Sequence, residues 1–99
     1  MKKEEYKNWL EGKLKAPSIK DRLSRCSKVE KSLGVDLDVE FERDGGEAVL
    51  KQLSYTIHDA KNHVPLPKGM SFSENANINQ RMTDLRSAAK QYFVFRKNG

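Results

Sequence analysis

The chain of 99 residues carries 19 Lys and Arg against 14 Asp and Glu, a formal charge of +5, with a mean hydropathy of −0.82, which fits one small basic domain rather than two. No apolar run approaches the roughly 20 residues of a membrane span, and Met1-Lys2-Lys3-Glu4-Glu5 leads into no signal-like apolar stretch, so a cytoplasmic chain with no membrane partner is expected. One cysteine, Cys26, cannot form an internal disulfide.

Residues 4–14 place Tyr6, Trp9, Leu10 and Leu14 on one side of a short helix, which Gly12 weakens. Ala16-Pro17-Ser18 interrupts that pattern. A second helix is expected from Ser18, because its hydroxyl can accept from exposed amides and Asp21 follows at capping-box spacing. Its apolar stripe is Ile19, Leu23, Cys26, Val29 and Leu33, and Gly34 is its stop. Residues 35–46 alternate Val35, Leu37, Val39 and Phe41 with acids, a strand on pattern alone. A lone strand leaves its backbone groups unpaired, so an extended connector lying on the helices is the preferred reading. Asp44 and Glu47 then open a third helix reaching about Lys61, with Leu50, Leu53, Ile57 and Ala60 on one face and Val49 beside it. Residues 62–76 read as a loop. From Ile78 a fourth helix carries Met82, Leu85, Ala89, Tyr92 and Phe93, with Phe95 close by, and ends at Lys97-Asn98-Gly99. The fold class expected is all-α, a bundle of about four helices.

Catalytic and metal chemistry find little support. His58 and His63 are five residues apart, off the one-turn spacing of a helical zinc pair. Cys26 falls on an apolar stripe, where a small buried hydrophobe is the ordinary role. Asp44-Gly45-Gly46-Glu47 resembles a phosphate loop only in its glycines; it lacks the Lys-Ser/Thr step, and its acids would repel phosphate. The acids of residues 36–47 follow no calcium-loop pattern. No metal, no cofactor and no catalytic residue are expected on this chain.

The cations carry more information. Residues 1–32, 33–67 and 68–99 have net charges of +5, −4 and +4, an asymmetry suited to a polyanionic partner. On the second helix Lys20, Arg22, Ser24, Arg25, Ser27, Lys28 and Lys31 lie off the apolar stripe, cations mixed with small hydroxyls that can approach phosphates and base edges. On the fourth, Asn77, Asn79, Gln80 and Arg81 crowd the first turn, and Arg86 and Lys90 follow four apart. An ordinary solvated face is the alternative to a nucleic-acid surface.

The segment from Leu85-Arg86-Ser87-Ala88-Ala89-Lys90 through Gln91-Tyr92-Phe93-Val94-Phe95-Arg96-Lys97-Asn98-Gly99 resembles the last helix of the core-binding domain of tyrosine recombinases, the phage-integrase family. That helix typically has a serine-alanine step, a basic residue, two aromatics and a basic-asparagine-glycine close. Trp9-Leu10, the Ser18-Ile19-Lys20-Asp21-Arg22-Leu23 helix start and Gly34-Val35-Asp36-Leu37-Asp38 fit the same SAM-like arrangement. The resemblance implies an N-terminal module that clamps double-stranded DNA for a separate C-terminal catalytic domain. It would place Lys20, Ser24, Ser27, Lys28, Asn79, Arg81, Arg86 and Lys90 at the DNA. Tyr6, Tyr55 and Tyr92 would then be packing residues, the chain would be a fragment of a longer integrase, and assembly of copies on DNA is an option. The rival expectation is a protein-interaction module, or the N-terminal module of a restriction or other mobile-element protein; in the interaction reading Tyr92, Phe93 and Phe95 are partly exposed to receive a partner.

Overall fold

The computed structural model describes residues 2–66, 69–70 and 77–98. Among them the chain is all-α: α1 (Lys3–Glu11), α2 (Ala16–Leu33), α3 (Leu37–Asp44), α4 (Glu47–Gln52), α5 (Ile57–Lys61) and α6 (Ile78–Asn98). The last helix is the axis of the bundle and touches every other one. Its stripe of Met82, Leu85, Ala88, Ala89, Tyr92, Phe93 and Phe95 is buried, as the helical spacing of these side chains predicts.

Local chemistry explains most boundaries. On α1, Tyr6 and Leu10 are one turn apart and fully buried, while Trp9 is half-buried beside them. Tyr6 meets Tyr92 edge to face with ring centroids 5.0 Å apart, a favoured aromatic geometry. α2 begins at Ala16, two residues before the expected Ser18 start, and Ser18 is not its cap. Pro17 in the first turn needs no amide partner and already holds a helical φ, so the helix starts around it. Gly34 ends α2 as expected, with φ 65° and its N–H donating to the Glu30 carbonyl.

The segment expected to be an extended connector is instead helical. Asp36 caps α3 by accepting from the amides of Asp38 (2.8 Å) and Val39 (3.4 Å), so the backbone is satisfied within its own chain rather than awaiting a partner strand. Helical spacing buries Leu37 and Glu40 and leaves Val39 61% exposed. The period-two pattern of residues 35–42 therefore does not describe which side chains face inward. Gly45 and Gly46 have φ of 72° and 86° and turn the chain into α4. Asp44 does cap this turn, accepting from the Gly46 and Ala48 amides at 2.9 and 3.1 Å.

The expected third helix is divided. α4 stops at Gln52, and Thr56 with Asp59 forms a reciprocal capping box that starts α5. Such a box offers the backbone a fresh helix start in place of continuation. Val49 and Leu53 are buried, but Ile57, expected on the same buried face, is 54% exposed. After α5, Leu66 packs partly against the core and Met70 is buried. Residues 67–68 and 71–76 of the predicted loop lie outside the described residues.

The acidic middle of the chain is tied to the far end of α6. Arg96 Nε lies 3.4 Å from Asp38 Oδ1, and its Nη2 lies 3.3 Å from Glu42 Oε1. The Tyr92 hydroxyl donates to the Asp38 carboxylate and accepts from the Lys2 backbone N–H at 2.9 Å. The start of α1, α3 and the end of α6 are thereby joined, and Arg96 faces carboxylates rather than open solvent.

Candidate nucleic-acid interface

α2 and α6 run antiparallel. The register follows from three contacts: Arg22 shares a cleft with Lys90, Gln91 and Val94, Cys26 reaches Ala88, and Arg25 and Lys28 share a cleft with Arg81, Asp84 and Leu85. Earlier residues of α2 thus meet later residues of α6. The core of this contact is apolar, with Cys26, Val29, Leu85, Ala88 and Ala89 buried. Packing a helix on its apolar stripe forces the residues flanking that stripe to the rim of the contact. Here the flanking residues of α2 are Arg22 and Arg25, both half-buried.

Two clefts follow one another along this seam. The first gathers Arg25, Lys28 and Arg81 with Asp84 and Leu85. The second, nearer the start of α2 and the end of α6, gathers Arg22 and Lys90 with Ser87, Gln91, Val94 and Trp9 of α1. Arg81 and Lys90 are nine residues apart, a rise of about 13 Å at 1.5 Å per residue. The seam is a short line of five cations with hydroxyl and amide groups between them, interrupted by one acid. Asp84 itself accepts from Gln80 Nε2 at 3.0 Å.

The expected site residues are distributed unequally. Lys28 and Arg81 come together in the first cleft, and Lys90 lies in the second. Lys20 and Ser24 are exposed on α2, continuing outward from Lys28 at four-residue spacing, one helical turn each. Ser27 is half-buried and is rotated about 100° around the helix from Lys28. Asn79 and Arg86 line a separate groove with Leu53, Ser54, Tyr55, Thr56, Ile57 and Thr83, on the flank of α6 facing α4 and α5. Arg22 and Arg25, expected among the off-stripe cations of the second helix but not in the set that the resemblance implies, belong to the seam, and so do Ser87, Gln91 and Trp9, which were not expected there. Their signal in the sequence is position: Arg22 and Arg25 sit beside the stripe of Cys26 and Val29, three residues apart.

The remaining candidates are structural. Cys26 is fully buried, and burial first, then the nearby Glu30 carboxylate, pushes its thiol up to about 12, which makes it a poor nucleophile at neutral pH. Burial likewise raises Tyr6 and Tyr92 well above the usual phenol range; for Tyr92 the hydrogen bond to Asp38 adds to it. The Tyr55 hydroxyl donates to the Val64 carbonyl at 2.7 Å. Tyr92, Phe93 and Phe95, expected to be partly exposed under the interaction-module reading, are 0%, 5% and 6% exposed; they form the core against α1 and α3 because α6 is enclosed there. Among the described residues no group of three His, Cys, Asp or Glu side chains is placed to hold a metal ion, and no helix is long and apolar enough to cross a membrane. Comparison of the chain with protein-family models, with curated proteins and with solved structures finds no match.

Proposed function

We propose that this chain binds double-stranded DNA through the α2–α6 seam, as the N-terminal core-binding module of a site-specific tyrosine recombinase that clamps the recombination site for a separate catalytic domain. The observation that supports this best is the alignment of Arg22, Arg25, Lys28, Arg81 and Lys90 from two helices along one line of contact. Cations in such a line neutralise successive phosphates and release the counterions condensed there, which drives association without requiring a particular sequence. Ser87, and Ser24 beside Lys28, allow close approach and can hydrogen-bond to phosphate or base edges. The acids of α3 do not oppose this role, since Asp38 and Glu42 face Arg96 at the other end of α6. Cleavage and rejoining of strands belong to the other domain in this reading, because the tyrosines here are engaged in packing and hydrogen bonds to the chain itself.

The test is a titration of a labelled duplex at about 50 and 200 mM salt. Five phosphate contacts give a slope of log K against log salt of about −4 to −5. Affinity that does not change with salt, or no binding at the lower concentration, overturns the proposal.

A further inference from the structure

The first cleft of the seam is small and strongly charged. It encloses about 80 Å³, room for two or three water molecules at about 30 Å³ each, which admits one phosphate group and no base. Its floor is Leu85, 4% exposed, and its walls are Arg25 and Lys28 from α2 and Arg81 and Asp84 from α6. Arg25 is half-buried, while Lys28 and Arg81 are exposed. Neither the Arg25 nor the Arg81 side chain forms an ion pair among the described residues, although Asp84 lines the same cleft; the Asp84 carboxylate is engaged by the Gln80 amide at 3.0 Å.

Two arginines brought to one apolar floor with no carboxylate paired to either repel each other, and partial withdrawal from water strengthens that repulsion. An oxyanion between them removes it, and guanidinium forks match the paired oxygens of a phosphate. With Lys28 the cations of the cleft outnumber its one acid three to one. Resting on the duplex-binding reading above, we infer that this cleft is a discrete seat for a single phosphate group, with Arg25 and Arg81 as its ligands, and that it takes inorganic phosphate as well as a phosphate of the DNA backbone. Arg22 and Lys90, by contrast, border an open concavity of about 340 Å³, too wide to enclose so small a group, and act there as diffuse charge. The seat fixes where one strand rests on α2 and α6. Free phosphate therefore weakens duplex binding by more than its ionic strength accounts for.

Inorganic phosphate, compared with chloride at equal ionic strength, is the probe. A few charge-assisted hydrogen bonds give half-saturation at about 1–10 mM, so calorimetric titration shows one saturable site for phosphate in that range and none for chloride. At about 10 mM, phosphate weakens duplex binding about threefold relative to chloride. Arg81→Ala and Arg25→Gln each abolish both effects with the helical circular dichroism unchanged, whereas Lys51→Ala, exposed on α4, keeps them. A duplex with 5′-phosphates and the same duplex without them identify the source: both compete equally with phosphate if the seat takes the backbone, and competition only by the phosphorylated duplex overturns that source in favour of a strand end. No saturable site, or a phosphate effect that persists in Arg81→Ala as general salt stabilisation would, overturns the seat, while salt-dependent duplex binding leaves the duplex reading intact. Phosphate binding without duplex binding at low salt overturns the duplex reading and leaves the seat.

Discussion

The sulfur of Cys26 lies 3.5 Å from the carbonyl oxygen of Ala88, donating its thiol proton across the α2–α6 contact to a residue 62 positions away. Both residues are fully buried. The close approach is allowed by the small side chains at Cys26, Ala88 and Ala89, and it sets the register that brings Arg25 and Lys28 level with Arg81, and Arg22 level with Lys90.

Enlarging this contact should therefore disturb fold and interface together. Cys26→Leu adds methyl groups where no space exists and is expected to destabilise the chain by about 1–3 kcal/mol, read as a lower midpoint in urea denaturation. Duplex affinity of the folded fraction falls with it, because the two rows of cations no longer align. Unchanged stability would show that the contact is loosely packed.

The same thiol makes stability depend on alkaline pH. Its ordinary pKa of 9.0 rises to about 12 in the folded chain, so folding favours the protonated form. The contribution is fully present below 9.0 and is lost as pH rises toward about 12. Tyr6 and Tyr92 shift in the same direction and steepen that loss. Urea midpoints measured between neutral pH and pH 11 should fall on the alkaline side, and alkylation of Cys26 at neutral pH should proceed only at the rate of unfolding.

Gly46 and Gly34 separate backbone strain from crowding. Both have positive φ, but a Cβ on Gly46 would lie 2.3 Å from the Phe93 ring whereas one on Gly34 meets nothing within 4 Å. Gly34→Ala is expected to cost about 1 kcal/mol from backbone strain alone. Gly46→Ala should cost clearly more, about 2–4 kcal/mol, since Phe93 must move within a packed core. Thermal melts of the two variants give the comparison directly; equal losses would mean that Phe93 yields freely.

Two arginines of α6 should show opposite phenotypes. Arg81→Ala together with Lys90→Ala is expected to reduce the salt slope for duplex binding by about 2 and to change stability by less than about 0.5 kcal/mol. Arg96→Ala removes the partner of Asp38 and Glu42 and should destabilise by about 1–2 kcal/mol with an unchanged salt slope. A large salt-slope effect of Arg96→Ala would move the interface to the other end of α6.

Short-range chemistry made much of the bundle legible in advance. The stripes of α2 and α6 and the stop at Gly34 depend on residues within about one or two turns of each other, and each appears where the spacing places it; Asp44 holds the turn before α4, but the helix starts from Gly46 and Glu47 is its first residue rather than its third. Residues 35–46 misled because acids at alternate positions imitate a half-buried strand, whereas the Asp36 cap and the burial of Leu37 and Glu40 make a helix. The break at Thr56 had its own signal, a threonine three residues before an aspartate, outweighed by the apolar residues on either side.

For the proposed interface, the amino-acid order alone determined that cations lie off the apolar stripes of α2 and α6. It could not determine which flank of each helix meets the other. A helix presents its flanks equally well to either side, and only the packing of distant segments chooses between them. The tertiary structure placed Arg22, Arg25 and Lys28 beside Arg81 and Lys90, turned Asn79 and Arg86 toward α4 and α5, and closed the second cleft with Trp9 from α1. Those neighbours are up to 85 residues apart in the chain, from Trp9 to Val94, beyond the reach of any local pattern, and the shape of the apolar core is what brings them together.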